Sequence, residues 1–124
     1  MMWKNLLLVA LGSGTGGVLR YLTSLLFQSD SPAKFPWSTL TINLIGSFCI
    51  GVIIALSQRL HPISEQTRLL LSVGFCGGFT TFSAFALENI HLIRSGNTAY
   101  AMMYIVASVV LSILLTALGM ALFK

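Results

Sequence analysis

The chain is 124 residues long, and only 8% of them are charged: seven Lys or Arg against three Asp or Glu, for a net charge of +4. Hydrophobic residues make up 56% of the sequence and the mean hydropathy is +0.89. A soluble domain spends about a quarter of its residues on charge and a disordered chain has few apolar residues, so both classes are excluded and an integral membrane protein remains.

A transmembrane helix needs about 20 mainly apolar residues. The first candidate runs from Lys4 to Gln28 and is stopped by the polar segment Ser29-Asp30-Ser31-Pro32-Ala33-Lys34. Its start has the look of a signal peptide, but the apolar pattern continues past Arg20 to Phe27, longer than a signal core needs. The second runs from Pro36 to about Gln58, with Pro at the helix start where its missing N–H is harmless. His61-Pro62 marks a turn, and Ser64-Glu65-Gln66 reads as an N-cap followed by an acidic first turn. From there the third span runs to Arg94. Ser95-Gly96-Asn97 is a turn, and Thr98 to Phe123 is the fourth span. The expectation is an all-α membrane protein of four spans, about 4–28, 36–58, 64–94 and 98–123, in a single domain over 1–124.

Four spans put both termini on one side, with Lys4, Arg59, Arg68 and Lys124; the other side holds Lys34 and Arg94. Basic residues bias their side toward the cytoplasm, so the termini lean inward, weakly enough that insertion in both directions is open. The same seven residues form no run or patch, so no nucleic-acid footprint exists. Cys49 and Cys76 sit in apolar stretches without CxxC spacing or a His cluster, and read as small buried hydrophobes.

The spans carry chemistry in patterns. Gly12, Gly14 and Gly17 match G-x-G-x-x-G, but a dinucleotide site needs a strand before it and a βαβ unit around it. Here a membrane span follows, and Gly12/Gly16 and Ser13/Gly17 fit a small-residue face for close helix packing. Thr39, Asn43 and Ser47 recur every four residues in the second span; Tyr104, Ser108, Ser112 and Thr116 do the same in the fourth. Such spacing places each set on one helical face, and polar groups in a membrane turn toward the bundle interior or a wet path. In the third span, Gly74-Phe75-Cys76-Gly77-Gly78-Phe79-Thr80-Thr81-Phe82-Ser83-Ala84-Phe85 predicts a helix break near Gly77 to Thr80, around mid-membrane. The carbonyl end of a broken helix suits a cation and the N–H end an anion. Phe82 and Phe85 share a face of the second half-helix, where ring edges carry partial positive charge; Glu88 follows on that face. Arg20 is the charged residue within the first span.

These pieces resemble the Fluc/CrcB family of fluoride channels over nearly the whole chain. The matching segments are Gly17-Val18-Leu19-Arg20-Tyr21, Trp37 through Phe48, and, most specifically, Gly74 through Phe85 with its Gly-Gly-Phe-Thr-Thr-Phe-Ser string. The fourth span agrees through its Tyr, Ser and Thr stripe. The resemblance implies a non-enzymatic channel of a bacterial inner membrane. It implies a homodimer of two oppositely inserted subunits with two fluoride pores, and a structural, untransported sodium ion held by backbone carbonyls. Carried onto this chain, Gly77 and Thr80 would supply those carbonyls, and Phe82 and Phe85 would turn their edges to the ion, oriented by Asn43. Thr39, Ser83, Tyr104, Ser108, Ser112 and Thr116 would line the track, joined by Glu88, with Arg20 near the aqueous entrance. Ala84 departs from the family, which commonly has Thr there. The partners expected are a second copy, fluoride and lipid. Fluoride binds water strongly, so a pore must replace hydration with donors and still release the ion; hydroxyls, an amide and ring edges can do so. A proton-coupled multidrug-resistance-type transporter has the same span number and length, but relies on a first-span carboxylate that this chain lacks. A non-transporting assembly partner, using its glycine faces only for packing, is a third reading.

Overall fold

The computed structural model describes residues 1–27 and 35–123, and all regular structure among them is helical. The polar segment 29–34, the expected first-span end at Gln28, and Lys124 lie outside the described residues. The elements are α1 (Met2–Leu26), α2 (Trp37–Ser57), α3 (Glu65–Arg68), a π-helical segment (Leu69–Cys76), α4 (Gly77–Phe79), α5 (Ser83–Arg94) and α6 (Thr98–Phe123). Four stretches are long and apolar enough to cross a membrane: Met2–Leu26, Trp37–Ser57, Glu65–Arg94 and Thr98–Phe123. The third comprises α3, the π segment, α4 and α5.

The helix ends follow local chemistry. Pro36 stands just outside α2 as its N-cap (φ −81, ψ 70), with its carbonyl accepting from Leu40 N–H at 3.3 Å, so Trp37 and not Pro36 is the first helical residue. Ser64 caps α3: its Oγ accepts from Thr67 N–H at 3.1 Å. At the other end of the third span, Asn97 N–H reaches Leu92 O at 2.8 Å around Gly96, whose φ of +85 is where glycine is favoured.

Two close-packed pairs organise the bundle, with α1 lying against the π segment and α4, and α2 against α6. Glycines permit both approaches. A Cβ on Gly12 would meet Gly74 Cα at 2.8 Å, and one on Gly16 would meet Phe79 N at 2.8 Å. Between α2 and α6, Gly51 lies on the Thr116 carbonyl and Gly119 on the Phe48 carbonyl. The expected small-residue face thus packs α1 on the third span through Gly12 and Gly16, whereas Gly14 faces open space. Ser13, also on that helix, donates to Gly74 O at 3.3 Å.

The buried cluster is small: Leu40, Leu92, Ala101 and Tyr104, with Phe35, Leu44, Phe85 and Ala107 packed on it. Most apolar side chains of α1 and α6 point outward. In water that would be an untenable surface; on a multi-pass membrane protein it is the lipid face. Cys49 and Cys76 are both free thiols, the first half-buried and the second buried.

Candidate functional site

The third span sets the site. Its paired glycines stay helical: Gly77 has φ −62 and ψ −37. Gly78 is packed so tightly on α1 that a Cβ would strike the Ser13 backbone, with Ser13 Cα at 2.7 Å. Regular helix stops after Phe79. Thr80 is extended (φ −84, ψ 159), and helix resumes at Ser83. The non-helical residues are therefore Thr80 to Phe82, whereas the paired glycines had pointed one turn earlier, to Gly77 to Thr80.

A side chain from another helix holds this segment. Asn43 of α2 donates through Nδ2 to Thr81 O at 3.0 Å and accepts from Thr81 N–H on Oδ1 at 2.9 Å. The amide thus replaces both helical partners of one peptide residue, satisfying groups that would otherwise be unpaired. On the far side, Thr81 Oγ1 accepts from Ala84 N–H at 3.3 Å and starts α5 as an N-cap would. Thr81 was not among the residues singled out from the sequence. A hydroxyl residue two before a renewed apolar helix was the available signal.

Because Thr81 N–H is spent on Asn43, the Gly77 carbonyl lacks the donor four residues on that a continuous helix would supply. The Gly78 carbonyl is taken instead by Arg20, whose Nε donates at 3.2 Å from α1. Arg20 thus lies against the end of α4. Thr80 Oγ1 back-bonds to Cys76 O at 2.8 Å, and its methyl fills the space left by Gly46 of α2.

Beside the interruption lies an open groove of about 450 Å³, lined by Asn43, Ser47, Gly77, Thr80, Thr81, Phe82, Phe85, Ser108 and Ser112 among others. No charged residue lines it among the described residues. Phe82 and Phe85 lie 5.5 Å apart at 44°, and Phe82 is 78% exposed on the single chain. Phe85 also meets Tyr104 edge-on at 4.9 Å. Ser108 presents a buried hydroxyl that has no partner among the described residues.

The remaining expected residues fall in three other places. Thr39 donates to Glu88 Oε1 at 2.6 Å, and Tyr104 OH donates to Oε2 at 3.4 Å. Both carboxylate oxygens of Glu88 are thereby engaged, next to Phe85 but outside the groove lining. Thr116 donates to Ser47 O at 2.9 Å and ties α6 to α2, so its one proton is committed to a backbone carbonyl. Ser83 is exposed, with its hydroxyl 3.4 Å from that of Thr81. Asn89 went unremarked in the sequence. It is buried, donates to Phe85 O at 2.9 Å and leaves Oδ1 unpartnered; an amide within a span was the signal for it.

No group of three or more His, Cys, Asp or Glu that could hold a metal exists among the described residues. A cation here would need neutral oxygen donors, and the freed carbonyls at the end of α4 are of that kind. The arrangement as a whole offers hydroxyl and amide donors and ring edges around an uncharged path.

Residues 7–120 match the family described as CrcB-like protein, Camphor Resistance (CrcB). A protein of Phocaeicola vulgatus named fluoride-specific ion channel FluC is 47% identical over 116 residues, covering 94% of this chain and 95% of its own length. The FluC of Leptospira interrogans serogroup Icterohaemorrhagiae serovar copenhageni is 46% identical over 107 residues, 86% of this chain and 84% of its own. That of Azobacteroides pseudotrichonymphae is 38% identical over 118 residues, 95% and 94%. With four membrane-spanning helices, an uncharged donor-lined groove and a family match spanning most of its length, the chain belongs to the CrcB-like family.

Proposed function

We propose that the protein is a fluoride-selective channel through which fluoride leaves the cytoplasm passively, in a bacterial inner membrane. The relatives named above are fluoride-specific ion channels by name, at up to 47% identity. The observation that carries the reading is the groove itself: Asn43, Phe82, Phe85, Ser108 and Ser112 line it, with no charged side chain among its described lining residues. A cationic side chain along the path would trap a small anion, whereas hydroxyl protons, an amide and ring edges can exchange for hydration shell and let go. The coupled multidrug-type reading finds no support: α1 has no carboxylate, and Glu88 is held by two hydroxyl donors.

The channel works as an antiparallel homodimer in this proposal. The groove is open along one side and Phe82 stands exposed, so a second copy supplies the missing wall. Opposite insertion of the copies agrees with the weak charge bias between the two sides. The interruption at Thr80 to Phe82 lies near mid-membrane, where irregular backbone is tolerated only inside protein or along a wet cavity.

A structural sodium ion at the centre of the dimer would be held by the Gly77 and Thr80 carbonyls of each copy. Gly77 has lost its helical donor and both residues line the groove. Such an ion, when bound, supplies a fixed positive charge that joins the two interrupted helices. The chain's own residues do the rest: Asn43 fixes Thr81, Phe82 and Phe85 present edges, and the Ser108 hydroxyl is available to the ion. Thr39 and Tyr104 donate their hydroxyl hydrogen bonds to Glu88, and could offer them to fluoride only when the carboxylate releases them.

Purified protein in liposomes tests the function. With the membrane potential clamped, fluoride is expected to leave and chloride to stay; no selective efflux would overturn the proposal.

A further inference from the structure

We infer that Arg20 is a positioning residue for the proposed cation site, and that it acts through its Nε–H donor to Gly78 O. The inference rests on the reading of the Gly77 and Thr80 carbonyls as cation ligands. A helix that ends leaves its last carbonyls without partners. Here α4 ends at Phe79, and the fate of each freed carbonyl differs. Cys76 O is kept in the ladder by Thr80 N–H at 3.0 Å. Gly78 O accepts from Arg20. Gly77 has lost its helical donor to Asn43, and Gly77 and Thr80 both border the groove. Arg20 therefore takes the Gly78 carbonyl from the α1 side and holds the peptide plane next to that of Gly77.

The position of Arg20 follows from the packing of α1. Gly12, Gly16 and Arg20 are four apart and share a face. The two glycines bring α1 onto the backbone of the third span, and the next turn delivers a long donor to the end of α4. The guanidinium forms no ion pair among the described residues. Its bond to Gly78 O is the contact that fixes it.

Topology separates the donor from the charge. In glutamine, the amide nitrogen is attached to Cδ, as Nε is in arginine, so Arg20→Gln keeps a donor at that place and removes the charge. Lysine puts a methylene there and carries its ammonium one atom further on, so Arg20→Lys keeps the charge and removes the donor from that place. Arg20→Met removes both. The experiment measures the unfolding temperature of the purified full-length protein against sodium, in an N-methyl-glucamine background of constant ionic strength, with fluoride efflux in parallel.

The expected result is a sodium midpoint for Arg20→Gln within about twofold of wild type, and midpoints for Arg20→Lys and Arg20→Met raised about tenfold, as the loss of one hydrogen bond to a charged or polar donor predicts. Fluoride efflux would follow the charge if Arg20 also drew anions to the entrance, giving the opposite ranking of Gln and Lys, so the two roles separate. Equal midpoints in all four proteins, or Arg20→Gln behaving as Arg20→Met does, would overturn the inference. A wild type whose stability ignores sodium would overturn the cation site itself, and the inference with it.

Discussion

Removing the Asn43 side chain is the sharpest local perturbation. Asn43→Ala deletes two hydrogen bonds at once, from Nδ2 to Thr81 O at 3.0 Å and to Oδ1 from Thr81 N–H at 2.9 Å. The Thr81 peptide groups that remain have no helical partners, since Thr80 is extended. Leaving a buried backbone group unpaired costs about 1–3 kcal/mol. The groove is open on one side, so the lower half of that range applies, giving about 2–4 kcal/mol for the pair. At about 1.4 kcal/mol per factor of ten, the interrupted backbone conformation should fall in population about 30-fold or more. Two assays read this. Fluoride efflux from liposomes should drop by that factor, and the Thr81 amide should exchange its hydrogen faster to a similar extent. Efflux within about threefold of wild type, with Thr81 still protected, would refute the reasoning.

Two glycines should behave in opposite ways. Gly78→Ala drives a Cβ into the Ser13 backbone, which cannot rotate aside, and should destabilise the protein by about 2 kcal/mol on heating in detergent. Gly14→Ala meets nothing within 4 Å and should be neutral or stabilise by up to about 1 kcal/mol through helix propensity. Glu88→Gln keeps an acceptor for Thr39 and offers an N–H to the Tyr104 hydroxyl, so fluoride efflux should stay within about fivefold of wild type, the worth of about one weakened hydrogen bond. Efflux from that variant should also ignore a proton gradient; proton-coupled uptake of organic cations by the wild type, abolished in Glu88→Gln, would point to the coupled transporter.

The span limits were legible because they are written locally. Hydropathy runs, Pro36, the Ser64 cap and the Gly96 turn each act within a few residues of themselves. The small-residue face of α1 was equally legible, since i, i+4 spacing is a property of one helix. The site was harder, for a physical reason. Glycine's poor helix propensity, about 1 kcal/mol, pointed to Gly77 and Gly78 as the interruption, yet a close crossing with α1 makes their missing Cβ an asset and keeps them helical. What interrupts the helix is Asn43, 38 residues away in sequence, substituting for the Thr81 ladder bonds. The π-helical winding of Leu69–Cys76 is likewise a matter of packing, with no pattern of its own in the sequence. Facing polar stripes in α2 and α6 were visible, but their division of labour was not. Thr116 latches the two helices, Thr39 and Tyr104 hold Glu88, and Ser108 keeps a buried hydroxyl with no partner among the described residues.

The charge count that first excluded a soluble protein carries into mechanism. Of the few charged residues, Arg20 is bonded to a backbone carbonyl and Glu88 to two hydroxyls, and neither lines the groove. An uncharged path is suited to passive, selective flow of a small anion, and current through a planar bilayer tests that claim most directly. With opposed fluoride and chloride gradients across the membrane, the account predicts a current that reverses at the fluoride equilibrium potential and stays there when the chloride or proton gradient is inverted. A reversal potential that follows chloride or protons would contradict it.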